Sequence, residues 1–260
     1  MFVRHGVALA AVVAVIALTS CATGSGTSPS ASRTGTAGST SASSPAAAGT
    51  PAITISTPAP DATVAVPFSV SGEANTFEAA LTIDAQDASG MTACVRHLTA
   101  TSGSGTPGTW EGVLAFPPEE DPLDVTLRAY SQSPADGSMI NLVEIPITVA
   151  PDRPMIVLTS PRCGDVYQPG GPIILTGTAN LFEAAFTVEL RDSAGTAVVT
   201  LPVTADTCCV ESQFDATLTI PADVPSGFYD VVAYSLNAQD GSVENEFPVQ
   251  VEVRGLSITG

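Results

Sequence analysis

One stretch of this chain occurs twice, and that repetition limits the fold more than any other feature. Gly72–Gly90 (GEANTFEAALTIDAQDASG) and Gly177–Gly195 (GTANLFEAAFTVELRDSAG) align without a gap, with 10 of 19 positions identical. Self-similarity at a fixed spacing means one structural unit used twice, and 260 residues leave room for two domains. The likeness extends beyond this stretch. Tyr130-Ser131 and Asp136-Gly137-Ser138 reappear as Tyr234-Ser235 and Asp240-Gly241-Ser242, and Glu144–Val149 (EIPITV) reads as the counterpart of Glu246–Val251 (EFPVQV).

From Ile53 onward, short runs of alternating apolar and polar residues are separated by turn residues, the pattern of a β-sandwich. The first unit predicts strands near 53–57, 66–73, 79–86, 92–98, 110–116, 124–131 and 142–149. The second predicts them near 155–160, 172–179, 184–191, 196–202, 213–220, 229–236 and 246–253. Seven strands per unit suit an immunoglobulin-like topology, so the fold class is all-β with two tandem immunoglobulin-like sandwiches, at 51–150 and 154–254. Ala150-Pro151-Asp152-Arg153-Pro154 joins them, short and stiffened by two prolines, which restricts relative domain motion.

The segments ITISTPAPDATV…FSVSGEANTFEAALTIDAQD and IVLTSPRCGDVY…IILTGTANLFEAAFTVELRD resemble the immunoglobulin-like domain of bacterial spore germination proteins. The S/T-G-x-A-N-x-F-E-A core carries most of that resemblance. It implies an extracytoplasmic, non-catalytic interaction module and brings no catalytic residues or cofactor with it.

Ahead of the domains, Arg4 and His5 precede a largely apolar run, Gly6–Ser20, too short for an ordinary membrane span and suited to a signal-peptide core. Leu18-Thr19-Ser20-Cys21 resembles the bacterial lipobox, which implies a lipoprotein signal peptide at 1–20, cleavage before Cys21 and lipidation of Cys21 by acyl chains such as palmitate. Residues 21–50 are rich in Ser, Thr, Gly, Ala and Pro, with nothing to seed a core, and read as a disordered tether. A tether of this kind spans roughly 30 Å root-mean-square. The expected location is the extracytoplasmic face of the cell membrane, where the two domains act as a protein-interaction or spacer module, with an envelope protein or cell-wall polymer as partner.

Charge narrows the partners. All 26 acidic residues lie from Asp61 onward against six of the eight Arg, with no Lys, so the folded part carries about −20. That excess disfavours nucleic acid, whose affinity comes from neutralised phosphates. Only His97 remains after removal of the leader, too few imidazoles for a Ser-His-acid arrangement or a typical zinc site. No cofactor or metal is therefore expected, and an envelope hydrolase is the weakest reading of the chain. Glu119-Glu120-Asp121 falls between two prolines in a turn and reads as a solvated loop, not as paired catalytic carboxylates. A carbohydrate binder is a third reading, but Trp110 is predicted on a core strand.

Three groups remain as candidate sites. The repeated motif offers Asn75 and Phe77, with Asn180 and Phe182. The Asn would hold a turn and the Phe would plug the end of the sandwich. Strand alternation places Glu78, Thr82 and Asp84 outward beside Arg128 and Tyr130, and Glu183, Thr187 and Glu189 outward beside Tyr234. Tyr on the solvent face of both repeats makes that face the expected recognition surface, or the contact between the domains. Finally, an exported chain permits disulfides, and Cys163 is expected to pair with Cys208 or Cys209. Closing that loop is worth roughly 4 kcal/mol; a bond between the two neighbours would close only a strained local ring. Cys94, aligned with Val199, is expected as a buried thiol.

Overall fold

The computed structural model describes residues 51–255. Cys21, the leader and the tether lie outside the described residues. The first domain contains β1 (Ile53–Thr57), β2 (Thr63–Val64), β3 (Phe68–Ala74), β4 (Ala80–Asp87), β5 (Thr92–Thr99), β6 (Gly108–Leu114), β7 (Leu123–Gln132) and β8 (Met139–Val149). The second contains β9 (Ile156–Ser160), β10 (Val166–Tyr167), β11 (Pro172–Ala179), β12 (Ala185–Arg191), β13 (Ala197–Thr204), β14 (Ser212–Thr219), β15 (Gly227–Leu236) and β16 (Val243–Val253). Each domain pairs a three-stranded sheet with a five-stranded one: β1-β3-β6 on β2-β8-β7-β4-β5, then β9-β11-β14 on β10-β16-β15-β12-β13. This is an immunoglobulin-like sandwich used twice. The two-residue strands β2 and β10 run parallel to β8 and β16; segments so short carry no alternation and escape a periodicity reading.

Alternation does place the cores. Val125, Leu127 and Ala129 of β7 are buried, as are Tyr229, Val231 and Ala233 of β15. The Tyr229 hydroxyl donates to the Pro225 carbonyl at 2.9 Å, a tyrosine corner that pins the start of β15. Gly72 lies opposite Trp110 and Gly177 opposite Phe214. A Cβ at either glycine would overlap the aromatic ring and a carbonyl of the neighbouring strand, Thr54 or Val157. The glycine of the repeated core is thus required by close approach.

One sequence alignment is corrected by the register. Ala129 pairs with Val143 and Ala233 with Phe247, so Glu144 corresponds to Pro248 and not to Glu246. The expected match of EIPITV with EFPVQV is two residues out. A two-residue slip leaves every side chain on its original face, so alternation cannot detect it. The bulges confirm the true register: Asn141 and Asn245 both have φ 58° and donate to Ser131 and Ser235 at 2.9 and 2.8 Å.

The two sandwiches are joined covalently by Cys94–Cys163, with Cα atoms 5.0 Å apart. Cys163 lies against the cores of both domains. The pairing expected from sequence, Cys163 with Cys208 or Cys209, is therefore corrected, and Cys94 is not a free buried thiol. Cys208 and Cys209 are exposed and unpaired. Cys209 is held at the Asn180–Ala184 turn through Leu181 and Phe182, whereas Cys163 sits in the β9–β10 loop against β5 of the other domain.

Candidate functional site

The repeated motif forms a turn at the start of β4 and β12. Asn75 accepts a hydrogen bond from the Gly105 N–H at 2.8 Å, tying the turn to the β5–β6 loop. Phe77–Ala79 then makes a single 3-10 turn, with Glu78 and Ala79 at φ 55° and 58°. Ala184, the equivalent of Ala79, has φ 56°. These left-handed residues reverse the chain just before the strand, so strand alternation does not extend back to the Phe. The buried Ala79 and Ala184 fill the core end instead. Phe77 is 59% exposed and Phe182 84% exposed, which corrects the expectation that they plug the sandwich. Glu78 and Glu183 stand exposed beside them.

The expectation that both tyrosines stand in solvent is corrected, whereas the outer face of β15, on which Tyr234 lies, does take part in the contact between the domains through other positions. Tyr234 is only 8% exposed; its hydroxyl donates to Glu189 Oε1 at 2.9 Å and the Arg191 guanidinium lies 5.2 Å over its ring. Tyr130 is half-buried. Thr82 and Asp84 are buried, not outward in solvent. Arg128 forks onto Asp84 with two bonds of 2.8 Å. Neutralised carboxylates and covered rings leave this surface structural duties.

The outer strand positions that do make a contact are others. The free edge of β5 abuts the outer face of β15 and β16. The Gln250 side chain accepts from the His97 N–H at 2.6 Å and donates to the His97 carbonyl at 3.0 Å. One side-chain amide thus substitutes for a neighbouring strand and satisfies the β5 edge. The His97 ring stacks on Phe228 with centroids 4.2 Å apart, and its Nδ1 bonds the Thr82 hydroxyl at 3.1 Å. Arg96 pairs with Asp230 at 2.6 Å. Burial lowers the His97 pKa below its ordinary 6.5, partly opposed by Glu252.

An open cleft of about 1090 Å³ runs along this contact, with Phe77, Glu78, Phe228, Glu252 and Arg254 among its walls. Thr82 and His97 are the nearest approach to a nucleophile and base here. Thr82 is buried and bonded to His97 Nδ1, and the His97 ring is stacked on Phe228, so both side chains are engaged in structural contacts. Among the described residues no group of three His, Cys, Asp or Glu is placed to hold a metal, and no helix is long and apolar enough to cross a membrane. Trp110 is 3% exposed, so it offers no stacking platform for a sugar.

Sequence reasoning missed Cys94, Arg96, Asp230, Phe228 and Gln250. The signal available was asymmetry between repeats. Cys94, Arg96 and His97 correspond to Val199, Leu201 and Pro202. Positions serving a contact between copies are free to differ when only one of each surface is used.

Comparison with solved structures gives matches of low overlap to tandem modules. The fibronectin(III)-like modules of CbhA from Clostridium thermocellum are 12% identical, covering 80% of this chain and 97% of theirs at a TM-score of 0.25. The N-terminal Ig1-2 module of the Drosophila receptor protein tyrosine phosphatase DLAR is 12% identical, covering 78% and 98% at 0.23. A chimeric titin Z1Z2 tandem is 14% identical, covering 79% and 100%, also at 0.23. Overlaps this low carry no argument about function. No curated protein sequence matches the chain. The immunoglobulin-like domain of bacterial spore germination matches residues 52–138 and again residues 155–242. Together with the two sandwiches described above, this places the chain in the family of the immunoglobulin-like domain of bacterial spore germination, which it carries as a tandem pair.

Proposed function

We propose that this protein is a membrane-anchored lipoprotein of the cell envelope whose two immunoglobulin-like domains act as a non-catalytic protein-interaction module. Lipid on Cys21 anchors it on the extracytoplasmic face, and residues 21–50 space the domains from the membrane. The observation that carries the interaction reading is the pair Phe77 and Phe182, large aromatics exposed at equivalent turns of both domains. Exposed aromatics have no packing role to account for them, and buried aromatic anchors are what interfaces use most. Glu78 and Glu183 add a charged rim, which with a folded part near −20 suits a partner bearing cationic groups. The Cys94–Cys163 bond supports an exported location, since disulfides persist in oxidising compartments.

The test places a photocrosslinking residue at position 182 of the full-length protein in its native envelope. A discrete crosslinked envelope protein, lost when Phe77 is replaced by Ser, supports the reading; crosslinks to cell-wall polymer alone, or none, reject it. Mass spectrometry of Cys21 tests the anchor separately. The wild type should carry lipid, and Cys21→Ser should carry none and leave the membrane fraction.

A further inference from the structure

The cysteine pair left outside the inter-domain bridge has a geometry of its own. Cys208 and Cys209 are both exposed, and their sulfurs are 2.9 Å apart. Cys209 has φ 66°, and its N–H donates to the Leu181 carbonyl at 2.9 Å. The first domain has the same backbone arrangement with different chemistry. Ser104 has φ 55° there, and its N–H donates to the Thr76 carbonyl at 2.8 Å. In both domains the side chain at this position holds the Phe turn. Ser104 Oγ accepts from the Glu78 N–H at 3.1 Å, and Cys209 Sγ donates to the Phe182 carbonyl at 3.1 Å. The hold itself requires a single side chain. A second sulfur 2.9 Å away, in place of Gly103, adds a reaction that the first domain cannot perform.

We propose that Cys208 and Cys209 form a redox-active dithiol, closed to a vicinal disulfide by an external disulfide oxidant, and that closure releases the Phe182 turn. The Cys208 sulfur, as thiolate, attacks one sulfur of the oxidant R–S–S–R and expels R–S⁻. The Cys209 sulfur then displaces the second R–S⁻ from the mixed disulfide. One S–S bond forms and one breaks; two electrons and two protons pass from the cysteines to two molecules of R–SH. Cys209 has a single S–H, which serves the Phe182 carbonyl in the dithiol and turns to the Cys208 sulfur once that sulfur is a thiolate. The bond to Cys208 raises the Cys209 pKa, so Cys209 keeps its proton while Cys208 attacks. After closure no S–H remains to donate to the Phe182 carbonyl, so the most exposed aromatic among the described residues loses one of its restraints. The eight-membered ring is strained and exposed, and bonds of that kind are readily reduced again. The site is therefore reversible, unlike the Cys94–Cys163 bridge at the domain contact.

The experiment treats the full-length protein with oxidised glutathione, then blocks remaining thiols with iodoacetamide and maps the peptide containing both cysteines by mass spectrometry. The expected product lacks two hydrogens, carries no glutathione and recovers both alkylation sites after mild dithiothreitol that leaves Cys94–Cys163 intact. Chymotryptic cleavage after Phe182 should accelerate severalfold on oxidation. Cys209→Ser, which keeps a donor but cannot close the ring, should stay at the reduced rate throughout. Stable glutathione adducts, chain-to-chain dimers or unchanged thiols would overturn the proposal, as would ring closure with cleavage at Phe182 unaltered. Retention of copper(I) by the reduced pair without disulfide formation would make this a metal site and equally overturn it. These readouts involve no binding partner, so they succeed or fail independently of the interaction reading.

Discussion

The two domains hold a carboxylate at the same place in the five-stranded sheet, and they neutralise it differently. In the first, Asp84 is 2% exposed and lies directly across from Arg128, which forks onto it. In the second, Glu189 faces Val232, and its cation has moved two residues along its own strand to Arg191, at 2.7 Å. The longer Glu also accepts from Tyr234, and Arg191 bridges on to Glu246 at 2.8 Å. Burial raises the Glu189 pKa, but the bonds from Arg191 and Tyr234 outweigh it, so the group ends below its ordinary value. One repeat relies on a single pair, the other on a network with redundancy. The edge strands differ in the same sense. β5 brings Cys94, Arg96 and His97 to the other domain, whereas β13 has Val199, Leu201 and Pro202 at those places. A proline on an edge blocks further strand pairing, so a head-to-tail contact used once is not propagated to more copies.

The largest expected effect breaks the link between the domains. Replacing Cys94 and Cys163 by Ser should cost roughly 4 kcal/mol, from a bridge spanning 69 residues of sequence. Calorimetry should then resolve two unfolding transitions where the wild type shows one; a single unshifted transition would show the bridge to be energetically silent.

The contrast between pair and network comes next. Arg128→Met leaves Asp84 buried without a cation and should cost about 3 kcal/mol. Arg191→Met should cost about 1 kcal/mol, because Glu189 keeps its bonds from Tyr234 and Thr200. Urea unfolding of the two variants measures the difference, and equal losses would remove the distinction.

At the contact itself, Gln250→Ala strips both the N–H and carbonyl of His97 of their partners, at a cost of about 1–2 kcal/mol. Hydrogen exchange at the His97 amide should quicken accordingly, with the amides of β15 unaffected. Acid should act on the same place. An unfolded His97 takes up a proton near 6.5 and the buried one only at lower pH, so the unfolded state binds more protons in that window. Stability at the contact is therefore complete above pH 6.5 and declines as pH falls through the lowered value. His97→Gln should abolish this slope while leaving the later loss below 4.5, where Glu189 takes its proton.

The smallest effect separates the two tyrosines. Tyr234→Phe loses the bond to Glu189 and should cost about 1 kcal/mol, while Tyr130→Phe should stay within about 0.5 kcal/mol. Equal costs would mean the two rings do the same work after all.

Much of this architecture was legible in the chain. The duplicated Gly72–Gly90 and Gly177–Gly195 stretches announce two copies of one unit, and apolar alternation in segments such as Val125–Ala129 and Phe247–Val253 places the cores, because side-chain direction in a strand is a local property of period two. The same locality explains each failure. Alternation cannot see a two-residue shift, so the sequence pattern pairs Glu144 with Glu246 where the sheet matches it to Pro248. It cannot see the left-handed turn at Glu78 and Ala79 that throws Phe77 into solvent. Nor can it see which surfaces of two separate sandwiches meet. Cys163 had four other cysteines to choose from in sequence; only the docking of the β5 edge on the β15–β16 face brings Cys94 to it. By itself, then, the sequence determined two immunoglobulin-like sandwiches and their buried faces, since those follow from patterns within each strand. The disulfide, the His97–Gln250 contact and the exposure of Phe77 and Phe182 were decided by tertiary structure, because they depend on groups far apart in sequence or on backbone angles that no periodicity encodes.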